Sequence, residues 1–179
     1  MSKKSMSFVV VMLMIISLSL AAWLPGAAFA AGNGNGNGPG FQLGGGLSQG
    51  PLSKVEADAL VHALEEEYGA QALYKYVLSI FGDVAPFNNI VLSEGQHLSV
   101  LTSMANKYGV TVPTFTSGIM PGFKTLAEAC QAGVAAEIAD AALYDTLISV
   151  TVHADLLQVY RNLQSASLNQ HLPAFEACQ

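Results

Sequence analysis

Basic residues are scarce in this chain. Seven Lys and Arg stand against thirteen Asp and Glu among 179 residues, and charged residues of either sign make up only 11%. Apart from Lys3-Lys4 the basic residues stand singly. An acidic protein without a basic cluster is a poor partner for nucleic acid, and that class is set aside. Strand signals are missing too: no segment alternates apolar and polar residues, which leaves helical periodicity as the organising pattern and points to an all-α protein. The N-terminus holds lysines but no twin arginine, so an exported chain of this kind crosses the membrane unfolded, by the general secretory (Sec) route.

What is present at the N-terminus supports export. SKK precedes the apolar run FVVVMLMIISLSLAAWL, then PGAAFA, whose Ala28-Phe29-Ala30 is a small-x-small cleavage site. Residues 1–30 read as a signal peptide; the alternative is an uncleaved membrane anchor, which the short apolar run disfavours. Cleavage removes Lys3 and Lys4 and no acid, so the formal charge moves from −6 to −8. The mature protein is expected in a periplasm or outside the cell, free of the membrane, and would acquire any metal there. Residues 31–51, including AGNGNGNGPGFQLGGGLSQG, bury too little side chain to offset their ordering entropy and read as a flexible Gly/Asn-rich linker. Residues 52–179 form one domain.

Four long helical segments fill that domain. Ser53 with Glu56 three residues on is a capping box, and the first helix runs from it to about Phe81, ending at Gly82-Asp83. The second spans about Pro86 to Tyr108, with Gly109 as its C-terminal stop. TVPTFTSGIMPGF is a long connection. The third covers roughly Lys124 to Val152. The fourth starts near His153-Ala154-Asp155 with Asp155 as its cap and continues past Pro173, where a kink or break is expected. Two short turns and one long middle connection describe two antiparallel hairpins joined by a crossover, the arrangement of a ferritin-like four-helix bundle.

Stepping alternately three and four residues along each helix reads off its core stripe. Polar residues interrupt every stripe near its middle: Glu67 and Gln71, then Glu94 and His97, then Glu137 and Asp140, then Gln164, Ser167 and His171. Glu67 and His97 each lie fifteen residues from Gly82, and Glu137 and His171 each lie seventeen from Ala154. Residues equidistant from a hairpin turn sit level, so each hairpin brings one Glu and one His to one depth. Glu94 is one turn from His97 on the same face. Three carboxylates in a dry core cost several kcal/mol each unless protonated or paired, and no Lys or Arg falls on any stripe. That leaves proton sharing or a bound cation, and carboxylates beside imidazoles suit a transition metal. Tyr74 and Tyr144, repeated in EYGAQALY and EIADAALY, are placed to donate hydrogen bonds to the ligands. His62, Glu65 and Glu66 lie off the stripe and His153 sits at a turn, so all four read as surface residues.

Glu67 with Ala70 and Tyr74, Glu94-Gly95-Gln96-His97, and Glu137 with Tyr144 resemble the ligand pattern of ferritin-like proteins such as rubrerythrin and ferritin. ALEEEYGAQALYKYVLSIFGDVAPFNNIVLSEGQHLSVL and NLQSASLNQHLPAFEAC resemble more closely an uncharacterised, often exported ferritin-like domain family of bacteria and archaea. The resemblance implies a metal site of Glu67, Glu94, His97, Glu137 and His171, holding iron, or else manganese or zinc, as one or two ions. It also implies a second Glu-x-x-His on the last helix, but Leu168 stands three before His171. Asp140, or a water held by Ser167 or Gln164, would take the place of the missing carboxylate. The function this suggests is metal redox chemistry, as a ferroxidase or a peroxide consumer. The alternative is a non-catalytic envelope or extracellular interaction module with a degenerate site. Cys130 and Cys178 each lie 24 residues from Ala154, which sets them level at the far end of the second hairpin, where export permits a disulfide.

Overall fold

The computed structural model describes residues 50–178; the expected signal peptide and all but the last two residues of the expected linker lie outside them. The described residues are helical, with no strand among them. No described helix is long and apolar enough to cross a membrane.

Helix α1, Lys54–Phe81, begins at the expected capping box. The Ser53 hydroxyl accepts from the Glu56 N–H at 3.2 Å, and the Glu56 carboxylate accepts from the Ser53 N–H at 3.0 Å. The helix stops at Gly82, whose φ of +81° is open to glycine and strained for other residues. Helix α2, Phe87–Tyr108, ends at Gly109 in the left-handed conformation. Residues 110–125 form the long connection, without regular structure. Helix α3, Leu126–Val150, is capped by Thr125, whose side chain accepts from the Glu128 N–H. It is about two residues shorter at each end than the sequence pattern predicts, within the ordinary fraying of helix ends.

The last segment departs most from expectation. Helix α4 spans Ala154–Ala166, a single π turn follows at Ser167–His171, and a short helix α5, Leu172–Glu176, completes the chain with Pro173 in its first turn. The break therefore precedes the proline rather than falling at it. A π turn carries one residue more than an α turn and slips the buried stripe by one position. Leu156, Leu163 and Phe175 are buried where uninterrupted periodicity predicts Leu157, Gln164 and Ala174.

Asp155 does not cap α4. Its carboxylate instead accepts from Tyr108 Oη at 2.7 Å and from Lys107 Nζ at 2.6 Å. The turn into α4 is held by Glu56, whose Oε1 accepts from the Val152 and His153 N–H groups at 2.8 and 3.1 Å. His153 is likewise not a surface residue. Only 2% exposed, it places Nδ1 2.8 Å from Glu56 Oε1 and donates from Nε2 to the Gly50 carbonyl at 3.0 Å. A short turn landing on a buried carboxylate draws the imidazole inward.

Helix α1 packs on α2 and α3, and α3 packs on α4 and α5. The core is two apolar clusters with a polar layer between them. Leu60, Leu64, Leu101, Leu147, Leu156 and Tyr160 fill one end. Tyr74, Val77, Phe87, Ile90, Cys130 and Phe175 fill the other, where Cys130 and Cys178 form the expected disulfide with Cα atoms 5.8 Å apart. Glu67, Glu94, His97, Glu137 and His171 fall between these two sets along their helices.

Candidate metal centre

Glu67, Glu94, His97, Glu137 and His171 are all buried and converge in the polar layer. Glu67 on α1 and Glu94 on α2 each bring Oε2 to 3.0 Å from His97 Nδ1. Glu94 presents its other oxygen, Oε1, 3.1 Å from His171 Nδ1, and Glu137 Oε2 on α3 lies 3.3 Å from the same atom. Glu94 is thus shared by two triads, Glu67/Glu94/His97 and Glu94/Glu137/His171, each with donor atoms within 4.8 Å of one another. The level pairs expected from counting back to each hairpin turn are both brought together.

The tyrosines cross between hairpins. Tyr144 on α3 donates to Glu67 Oε1 at 2.5 Å, and Tyr74 on α1 donates to Glu137 Oε1 at 2.6 Å. Each phenol leaves its glutamate's second oxygen turned toward an imidazole. Asp140 belongs to neither triad: Ser167 donates to its Oδ2 at 2.5 Å, while its Oδ1 is buried without a hydrogen-bond partner. Ser167 and Asp140 thus pair with each other and donate nothing to either triad. Gln164 does not join them. Its amide donates to the Ala141 carbonyl at 2.9 Å and to Asp145 at 2.7 Å, because Tyr160, Leu163 and Ser167 form the buried stripe through α4 into the π turn and leave Gln164 on its flank. Leu168, 42% exposed, points away from the layer. Off the stripe, Glu65 is exposed as expected, whereas His62 and Glu66 are half-buried; burial raises the Glu66 carboxyl, with His62 opposing the rise.

Ser93 is a contact that stripe reading missed. Its Oγ lies 3.0 Å from His171 Nε2 and 3.3 Å from His97 Nε2, and the two rings stack at 5.5 Å between centroids. Its place four residues before His97 is the one signal in the sequence, and serine is too common on helices for that spacing to stand out.

Electrostatics reflect crowding. Burial pushes Glu67 well above the usual carboxylate range, against the hydrogen bond with His97. Burial acts on Glu94 in the same direction, but the imidazoles of His171 and His97 beside it outweigh burial and hold this carboxyl at about 2. Burial alone would lower His97, yet Glu67 and Glu94 hold it up at about 10; Glu137 and Glu94 do the same for His171, at about 9. Burial pushes Asp140 up to about 8, opposed by Ser167 and reinforced by the charges of Glu137, Glu66 and Glu94. No lysine or arginine among the described residues pairs with the cluster.

The donor set fits a metal ion. His171 Nδ1 is buried, close to two carboxylates, and aligned with neither for a hydrogen bond. A lone pair there, with two carboxylate oxygens beside it, is a ligand set for a borderline divalent cation. Fold and site together define an all-helical protein with a buried carboxylate–imidazole cluster able to hold a metal. The chain belongs to the DUF2202 family, described as an uncharacterised protein domain, which matches residues 56–178. It is 28% identical over 150 residues to the uncharacterised protein MJ0754 of Methanocaldococcus jannaschii, covering 72% of this chain and 77% of that one. The crystal structure of MJ0754, described as a hypothetical protein, superposes with a TM-score of 0.64 at 27% identity, over 72% of this chain and 82% of that chain. The conserved hypothetical protein rv2844 of Mycobacterium tuberculosis shares the fold, with a TM-score of 0.64 at 17% identity over 72% of this chain and 99% of that one.

Proposed function

We propose that residues 52–179 form a ferritin-like four-helix bundle that binds one or two transition-metal ions between its helices, in a protein exported by the general secretory route. The observation that carries this reading is Glu94, whose two oxygens face two different histidines and complete two triads. Glu67 and His97 would hold one ion, Glu137 and His171 the other, with Glu94 between them. Iron or manganese suits the carboxylate-rich set better than zinc does. Such an ion would supply one-electron redox chemistry toward dioxygen or peroxide, as in a ferroxidase or a peroxide consumer. The protein's part is to orient the donors: Tyr144 and Tyr74 fix Glu67 and Glu137, and an apolar cluster packs at each end of the layer. The disulfide supports export, since such bonds persist in oxidising compartments.

Metal content of the wild type and Glu94→Ala tests the site. The wild type is expected to bind stoichiometrically and the variant to lose binding; equal content in both would refute the assignment. Binding displaces protons from His97 and His171, whose values stand above neutrality, so affinity should rise with pH across the neutral range. A titration that is flat from pH 6 to 8 would contradict it. One observation favours a second reading, a non-catalytic envelope module: Leu168 points outward from the place where the resemblance implies another glutamate. Metal binding without turnover of dioxygen or peroxide would select that reading.

A further inference from the structure

Among the described residues, Ser93 is the one side chain that hydrogen-bonds both imidazoles on their outer edge. Both rings turn Nδ1 toward the carboxylates and Nε2 toward this single Oγ. If Nδ1 is to offer a lone pair to a metal, the ring proton must reside on Nε2, and a buried Nε2–H needs an acceptor. A hydroxyl oxygen has two lone pairs, enough for both N–H groups. At 3.0 and 3.3 Å, Ser93 Oγ is within reach of each, and the near-parallel rings, inclined by 20°, let both edges converge on it.

We propose that Ser93 is a positioning residue that holds His97 and His171 together in the tautomer that ligates through Nδ1, so that the two halves of the centre depend on one hydroxyl. This rests on the metal-binding reading above for its consequence, though not for its geometry. Ser93 also lines a cleft of about 250 Å³ between the start of α2 and the π turn, with Asn89, Gln170 and His171 on its walls. The hydroxyl therefore lies at the border of the buried layer, where it can be replaced without opening a cavity in either apolar cluster. His171 is the last residue of the π turn, and from there its Nε2 reaches Ser93 on α2.

The test compares wild type, Ser93→Ala and Ser93→Thr by two measurements. The first is the Co(II) affinity of the purified protein. The second is the exchange of the His97 and His171 Nε2–H protons with solvent in the metal-free protein, followed by nitrogen-15 NMR. Ser93→Ala should weaken Co(II) binding about 10- to 100-fold, the usual effect of removing a ligand's hydrogen-bond partner. It should also speed exchange of both protons, with the melting temperature unchanged. Ser93→Thr, which keeps the hydroxyl, should restore both. Ser93→Ala that binds Co(II) as tightly as wild type, with slow exchange retained, overturns the proposal and leaves the metal reading standing. A wild type that binds no Co(II) yet shows the exchange difference overturns the metal reading and supports the role of Ser93 in positioning the rings.

Discussion

Tyr74 and Tyr144 each serve the glutamate of the other hairpin, and this exchange ties the two halves of the molecule through buried hydrogen bonds. Tyr144→Phe removes the donor to Glu67 Oε1 without changing the apolar volume around it. A buried acceptor left without its donor costs about 1–3 kcal/mol, so the metal-free variant should unfold at lower urea by that amount. A midpoint equal to wild type would show that Glu67 is held by His97 alone. At the other end of α1, Glu56 and His153 make a second buried pair with its own pH dependence. Burial works against ionised Glu56, but His153, Val152 and Ser53 hold its folded value down at about 2, below the unfolded 4.5. Its contribution is present above 4.5 and is lost as pH falls toward 2. The hydrogen bond to Glu56 raises His153 above 6.5, so its contribution is complete below 6.5 and is lost as pH rises through the folded value. The pair stabilises most between these limits, and Glu56→Gln should flatten the stability profile on both sides of that window. An unchanged profile in urea titrations at pH 3, 5.5 and 8 would contradict the pairing.

At the scale of elements, α3 carries a glycine for the sake of a ring. A Cβ on Gly133 would sit 2.6–2.7 Å from three ring atoms of Phe175, and that ring is enclosed by Tyr74 and Phe87, with centroids 5.1 and 4.9 Å away. Gly133→Ala gains about 1 kcal/mol of helix propensity. Overpacking costs about 1–3 kcal/mol, so the net effect is a loss of up to about 2 kcal/mol. Pairing it with Phe175→Leu should recover part of that loss, measured by thermal unfolding; a single variant as stable as wild type would mean that Phe175 swings aside freely. Helix ends were legible in the sequence where their causes are local. Ser53 with Glu56, and Gly109 after Tyr108, act through neighbours in the chain, and equal distance from a turn placed Glu67 beside His97. The π turn was not legible, because an extra residue per turn is selected by what it packs against. Around it Leu163 faces inward, Gln164 lies on the flank and Phe175 packs against Gly133. His153 was misplaced for a related reason: its partner Glu56 is 97 residues away, and nothing near it announces a buried carboxylate.

At the scale of the molecule, the disulfide closes a 48-residue separation that spans α3, α4 and α5. Loop-closure entropy for that length amounts to about 4 kcal/mol at most, so Cys130→Ser should lower stability by up to that figure while leaving the polar layer assembled. Reduced and oxidised protein unfolding at the same denaturant concentration would show that the bond adds nothing. The polar layer costs stability of its own, with three glutamates and two histidines buried between apolar clusters. A bound cation would turn that cost into binding energy and stabilise the folded chain by mass action. The measurement that tests this most directly is elemental analysis of the protein as purified from the cells that make it, without chelator or affinity metal. One or two iron or manganese atoms per chain is the expected result, with none in Glu94→Ala. A metal-free wild type that gains no thermal stability from Fe(II), Mn(II) or Zn(II) would contradict the account.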